Sequence, residues 1–196
     1  MTRAMDEYLE LCTVGDLVVR GRVHRPEHDA VVFPGTRRTY RELEERATTV
    51  ARSLLGMGLA PGDRVGLFMP NRPEFLEILF GALFLGAVVV PVNARFRHRE
   101  LRHVIADAEL RVLFVGDAAG DPTRRADVVT EALGRVERAG TFATGQVTRL
   151  HADAAPHLEA VVTLDPEQAS AFHCDQELSR LAWDATREAV HTAELA

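Results

Sequence analysis

The chain has 196 residues, 46% hydrophobic and 27% charged, which is enough apolar content for a packed core and too much for wholesale disorder. Its formal charge is −6, from 23 basic and 29 acidic residues, and this argues against nucleic-acid binding, which calls for a basic face. All 23 basic residues are arginine, so a Walker-type phosphate loop, a Schiff base or a lysine-assisted acyl transfer has no ammonium group to draw on.

Cys12 and Cys174 are far apart in sequence; they could pair, but the reading adopted is a reduced pair in a cytoplasmic protein. The first residues include Asp6, Glu7 and Glu10 and lack the charged-then-apolar pattern of a signal peptide, so export is not expected. The longest apolar run, Ile78 to Val92, is shorter than the roughly 18–20 residues of a spanning helix and is broken by Gly86 and Pro91, so no membrane span is expected.

In chain order, Thr13 begins a short helical pattern through Leu17 and Val18. Ala30 to Phe33 reads as a strand, Pro34-Gly35-Thr36 as a turn, and Arg38 to Tyr40 as a returning strand, which together predict a hairpin. Thr39 and Glu42 have capping-box spacing. Leu43, Ala47, Val50, Ala51 and Leu54 follow at helical spacing until Gly56 and Gly58. Arg64 to Met69 is a strand. Asn71 with Glu74 is positioned to cap a helix, nearly inaccessible to water, that runs from Pro73 to Leu85. Ala87 to Val90 is an unbroken apolar strand of the kind covered on both faces of a parallel sheet. A helix over 99–108 and a strand over 111–115 complete a β-α-β-α-β order, the signature of a parallel α/β sheet with right-handed crossovers and flanking helices. Farther on, Asp121-Pro122 opens a helix reaching Val136. Residues 140–157 are mostly loop, Ala160 to Leu164 is another strand of the same sheet, and Asp175 caps a last helix carrying Trp183.

Five segments then share one pattern. Thr39-Tyr40-Arg41-Glu42-Leu43, the run Gly58 to Val65 (GLAPGDRV), Pro70 to Phe75 (PNRPEF), Gly86 to Arg95 (GAVVVPVNAR), and Glu100-Leu101 ahead of the strand at 111–115 occur in a fixed order. In that order and spacing, residues 13–115 resemble the N-terminal region of the adenylate-forming (AMP-binding) superfamily, of the acyl-CoA synthetase or fatty-acid–CoA ligase type. Residues 156–164 resemble, more loosely, the strand that precedes the family's phosphate loop. The resemblance implies a two-step ligase. ATP and a carboxylic acid give an acyl adenylate and pyrophosphate, and the thiol of coenzyme A then displaces AMP; Mg²⁺ assists in related enzymes.

The family's Ser/Thr/Gly-rich loop ending in Pro-Lys, its aromatic-Gly-Glu segment, its ribose-binding Asp and its C-terminal Lys have no counterparts in these 196 residues. The chain is therefore expected to be an incomplete N-terminal domain over 1–196. It divides into a helix, hairpin and first long helix over 13–63, a parallel α/β unit over 64–164 and a helical segment over 165–196. On this reading no catalytic, cofactor-binding or metal-ligating residue is assigned. ATP, Mg²⁺ and coenzyme A belong to a complete family member, and the chain alone is expected to be inactive.

Other features invite a site and yield to plainer readings. Gly140 to Gly145 resembles a phosphate-cradling loop but lacks a lysine and a leading strand, and reads as a surface loop. His173-Cys174-Asp175 has no second ligand cluster, and His98 and His103 are off i, i+4 spacing, so no metal site is expected. Arg95, Arg97, Arg99 and Arg102 around Phe96 could meet a phosphate or an acidic partner, but read as a solvated face; Asn93 reads as a turn brace and Trp183 as packing. Two further readings stay open. One is a non-catalytic interaction module that binds the complementary ligase half or another ligase subunit; the incomplete fold itself, with one side of its hairpin unpaired, is expected to self-associate. The other, weaker for want of a strand leading into Gly-x-Gly-x-x-Gly, is a Rossmann-type nucleotide enzyme.

Overall fold

The computed structural model describes residues 13–118, 120, 122–142, 148–165 and 173–174. At its centre a parallel sheet is built from β3 (Arg64–Phe68), β4 (Val88–Val92), β5 (Val112–Val115), β8 (Ala160–Thr163) and the two-residue β9 (His173–Cys174), in the order β4-β3-β5-β8-β9. Val65, Gly66, Leu67 and Phe68 pair in register with Val89–Val92 on one side and with Val112–Val115 on the other. β8 continues the ladder against β5, as the apolar run at 160–164 predicts.

Helices cover both faces. α2 (Tyr40–Gly56) and α3 (Pro73–Phe84) bury Leu54, Met57, Ile78 and Ala82 against Val65, Leu67, Phe114 and Val162. On the opposite face α4 (His98–Asp107) and α5 (Arg125–Leu133) bury Leu101, Ile105, Val129 and Leu133 against Phe68, Leu113, Val115 and Val161. Every residue of β5 and β8 is buried, which is why these short strands read as continuous apolar runs without alternation.

Local chemistry sets the boundaries. The Thr39–Glu42 capping box is formed, with the Glu42 amide donating to Thr39 Oγ1 (3.2 Å) and the Thr39 amide donating to Glu42 Oε2 (2.8 Å). Past α2, Gly58 adopts φ +77° and the Leu59 amide turns back to the Leu54 carbonyl (3.0 Å), a left-handed cap that only glycine takes without strain. At the amino ends of the strands, Arg111 is held between Asp63 and Glu159 (2.9 Å to the latter), and Arg64 donates to the Ala108 carbonyl (2.7 Å). Burial alone would lower the Arg111 pKa, but its two carboxylate partners outweigh it and hold the guanidinium more firmly protonated.

The N-terminal elements pack on α2 and α3 through a smaller cluster. α1 (Asp16–His24) and the antiparallel hairpin β1 (Asp29–Phe33) with β2 (Thr36–Thr39) contribute Val18 and Val31 to a cluster with Leu43 of α2, and Leu76, Phe80 and Phe84 of α3 lie beneath them.

Several expectations change. α3 has no exposed residue, but only Glu77, Ile78, Gly81 and Ala82 are fully buried; the rest are half-covered because the hairpin unit above is small. Its N-cap is Arg72 rather than Asn71 and makes no side-chain cap bond, since Pro73 at the first helical position fixes φ and has no amide to satisfy. β4 is an edge strand, not a covered one: Val88 is 49% exposed, and Pro91 is tolerated because its missing N–H costs nothing on the unpaired side. α5 begins at Arg125 and ends before Gly134 (φ +67°), leaving Val136 outside it. Residues 140–157 are not mostly loop. β6 (Glu137–Thr141) and β7 (Thr148–His151) form an antiparallel hairpin with an irregular register at Gly140 (φ +108°). β6 is exposed throughout, so it carries no alternating signal to read; the hairpin is anchored by buried Phe142, with the Arg149 guanidinium 4.9 Å from its ring centroid. The helix expected after Asp175, with Trp183, lies outside the described residues.

Candidate functional site

In an open parallel sheet, ligands collect outside the carboxyl ends of the strands, where successive crossovers depart to opposite faces. Here that point lies between β3, followed by α3 on one face, and β5, followed by α5 on the other. The residues leaving these strands and β8 form one ionic cluster. From the β3 exit, Arg72 donates through Nη1 to the Asp117 carbonyl (3.2 Å) and to Asp165 Oδ1 (3.3 Å), and through Nε to Glu74 Oε2 (2.9 Å). Asp165, at the β8 exit, accepts the Asp117 amide at 2.8 Å. Asp117, at the β5 exit, accepts both the Arg125 amide and its Nη1 at 3.0 Å, and Arg125 Nε donates to the Ala94 carbonyl beyond β4 (3.2 Å). Four strand exits are thereby tied together by five side chains.

Sequence reasoning missed this cluster. The available signal was positional: Asp117 and Asp165 each stand two residues past a short apolar strand, after VLFV and AVVT. The Asp117 carboxylate also explains where α5 starts, because it satisfies the first amide of the helix from outside. At Gly116 a β-carbon would lie 2.7 Å from Arg72 Nη1, so the absence of a side chain leaves room for the guanidinium.

The electrostatics are those of a clasp. Burial pushes the Glu74 carboxyl up, but the hydrogen bond and charge of Arg72 more than reverse this and leave it below the usual carboxylate range. Burial likewise pulls Arg72 down, and Glu74 with Asp165 overcomes it. Each named carboxylate is already committed to an arginine or an amide. The cluster does not fit the ATP and Mg²⁺ of a complete ligase: its carboxylates are engaged by guanidinium groups, and the Asp117 amide that could meet a phosphate is taken by Asp165.

Of the other tempting residues, Arg95, Arg97 and Arg99 are exposed, and Arg102, Asn93 and His98 have partners. Arg102 donates to the Ala132 carbonyl (2.7 Å) at the carboxyl end of α5, where a cation offsets the helix dipole. Asn93 braces its turn by accepting the Arg95 amide (3.0 Å), as expected, and the Arg97 amide donates to Glu100 Oε2 (3.1 Å). His98 Nδ1 lies 3.0 Å from Glu131. Among the described residues no three His, Cys, Asp or Glu side chains are placed to hold a metal. Of the Gly140 to Gly145 loop only Gly140 to Phe142 is described, as the end of β6 and the buried anchor; the side chains of His173 and Cys174 lie outside what is described.

Comparison with known proteins agrees with this architecture. The family model of the AMP-binding enzymes matches residues 19–188. The fatty acid–[acyl-carrier-protein] ligase ScoC of Streptomyces coeruleorubidus is 34% identical over 138 residues, which are 68% of this chain and 26% of ScoC. The feruloyl-CoA synthase of an Amycolatopsis species is 42% identical over 100 residues, 51% of this chain and 20% of that protein. Among solved structures, the N-terminal domain of FACL13 from Mycobacterium tuberculosis superposes with a TM-score of 0.63 at 25% identity, covering 87% of this chain and 35% of that one. The anthranilate CoA ligase AuaEII, at 21% identity and a TM-score of 0.66, shares the fold over 86% of this chain and 27% of its own. The chain thus spans about a fifth to a quarter of the length of these two relatives. By the sequence motifs, the parallel sheet and the extent of the family match, this chain belongs to the AMP-binding enzyme family, as a partial N-terminal region of the acyl-CoA ligase type.

Proposed function

We propose that the chain is the N-terminal scaffold of an ATP-dependent acyl-CoA ligase and performs no adenylation by itself. Within a complete enzyme it would support the conversion of a carboxylate and ATP to acyl-AMP and pyrophosphate, then of acyl-AMP and coenzyme A to acyl-CoA and AMP. We place it in the cytoplasm; no helix of the described residues is long and apolar enough to cross a membrane.

The observation that carries this reading is the clasp at the carboxyl end of the sheet. The family fold is present, but the charged groups at its ligand edge bind one another. The absence of lysine throughout the 196 residues supports it further, because charge build-up at a phosphate requires preorganised donors and cations whose loss costs on the order of 10²–10³ in rate each. Carboxylate-dependent ATP–pyrophosphate exchange by the purified chain is the test. No exchange above a protein-free control is expected with fatty or aryl acids. Exchange that disappears when the acid is omitted would defeat the proposal.

A second reading has its own observation. The N-terminal unit exposes Val14, Leu17, Val23, Val32 and Phe33. Apolar surface and unpaired strand edges of this kind invite self-association or a complementary ligase half. Size-exclusion chromatography with light scattering tests the association: oligomers or dye binding are expected, whereas a clean monomer with a cooperative melt and no dye binding would mean that the chain closes its own edges and stands alone as a module.

A further inference from the structure

The turn from β4 into α4 carries a charge opposite to that of the rest of the chain. Residues 93–103 hold four arginines and one carboxylate, a charge of +3, while the other 185 residues hold 19 arginines and 28 carboxylates, a charge of −9. Arg95, Arg97 and Arg99 are exposed, and their guanidinium groups have no ion-pair or hydrogen-bond partner among the described residues. Exposed arginines elsewhere include several with a carboxylate beside them, as Arg37 has Asp29, Arg124 has Asp127 and Arg135 has Glu137. The carboxylates nearest the turn are committed. Glu100 Oε2 accepts the Arg97 amide (3.1 Å), and Glu131 Oε1 lies 3.0 Å from His98 Nδ1.

The backbone beneath these side chains is fixed. Asn93 accepts the Arg95 amide through its side chain (3.0 Å) and the Phe96 amide through its carbonyl (2.9 Å). Buried Arg125 donates through Nε to the Ala94 carbonyl (3.2 Å), and Arg102 Nε ties α4 to the Ala132 carbonyl of α5 (2.7 Å). Phe96 packs inward on the core beneath α4. Three guanidinium groups thus stand on a braced platform without a counter-charge. A surface that serves only solubility intersperses its signs, whereas three like charges within five residues repel one another until an anion lies between them.

We infer that this turn is a docking surface for an acidic segment of another protein, whose carboxylates pair with Arg95, Arg97 and Arg99. Arginine suits that partner, because its planar fork takes a carboxylate through two parallel hydrogen bonds, and a braced backbone lowers the ordering cost of binding. None of the large exposed hydrophobic side chains lies in residues 93–103, so a membrane surface would find no apolar anchor there. The net charge of −6 sets the chain as a whole against a polyanion such as a nucleic acid, while a short acidic segment meets only the turn. The surface is distinct from the exposed apolar side chains of the N-terminal elements, and the inference does not depend on the ligase reading.

The experiment titrates the full chain into a fluorescent amphipathic peptide with glutamates along one face, followed by anisotropy at about 50 and about 200 mM salt. The chain should bind the peptide, more weakly at the higher salt. Arg95→Gln/Arg97→Gln/Arg99→Gln should weaken binding about five- to fifty-fold, the effect of losing three exposed ion pairs. Arg20→Gln/Arg52→Gln/Arg138→Gln removes the same charge from exposed arginines elsewhere and should change binding less than about twofold. Both variants alter exposed side chains only, so their denaturant midpoints should match the parent's. No binding by the parent, or equal losses in the two variants, would overturn the proposal. So would displacement of the peptide by inorganic pyrophosphate at constant ionic strength, which would make the turn a phosphate site, or tighter binding to a DNA duplex than to the peptide. Salt-sensitive self-association that is lost in the first variant would assign the turn to a second copy of the chain and overturn it as well.

Discussion

The central strands and the N-terminal hairpin face the same task, covering apolar backbone, and meet it differently. β5 and β8 are paired on both edges, sandwiched between helices, and bury every residue. β1 has one partner and buries only Val31; its neighbour Val32 is 62% exposed. The sheet takes its stability from apolar area removed from water on two faces, whereas the hairpin is held by a three-residue cluster and by charges such as the Arg38–Glu77 pair. A two-stranded ribbon is marginal without a covering layer, so the stability of this chain should be concentrated in its parallel half.

Substitutions can break or sharpen that contrast. The largest effect is expected at Phe114, at the centre of β5 and 1% exposed, where Phe114→Ala should cost about 3–5 kcal/mol in chemical denaturation. Gly81→Ala comes next. Removing a helical glycine ordinarily gains ~0.5–1 kcal/mol, but here the added methyl meets Val50 and the Ala47 carbonyl, so a loss of about 1–3 kcal/mol is expected by the same measurement. A gain would show that α2 and α3 can separate. Arg72→Met should cost about 1–2 kcal/mol at neutral pH, because it strips Asp165 and Glu74 of a charged partner. Glu74 has a lowered folded-state pKa, so its share is present above the unfolded value and disappears as pH falls below it; the difference between parent and R72M should shrink on going from pH 7 to pH 3. Smallest of all, Val32→Thr should change stability by less than about 0.5 kcal/mol, yet reduce any self-association seen by light scattering, since Val32 is in the hairpin's open face.

Much of the fold was legible in the sequence, for reasons particular residues make clear. The apolar runs at 65–68, 112–115 and 160–163 announce covered parallel strands because both of their faces are dry. The Thr39–Glu42 box and Gly58 announce the two ends of α2 because capping is local chemistry. What stayed hidden depends on tertiary context. That β4 lies at the edge follows from strand order, which its apolar run does not encode, and Pro91 was the clue that a central strand was the wrong reading. β6 carries no pattern because it buries nothing. The clasp joins Arg72 to Asp165 across ninety-three positions, and no spacing rule reaches that far; the buried Glu77, paired with Arg38 and Arg46, is invisible for the same reason. The ligase reading came from motifs in order, while the self-engagement of the charged groups at the sheet's carboxyl end needed distances.

Native-state hydrogen exchange across the described residues tests the division between the two halves most directly. Amides of Leu67, Leu113 and Val162 should exchange only through global unfolding, with protection that falls together as denaturant is added. Amides of Val31 and Phe33, on the paired side of β1, should exchange through local opening, with much weaker protection that barely responds to low denaturant. Equal protection in the two sets, falling with one slope, would contradict the account, because it would mean that the hairpin and the sheet unfold as one unit.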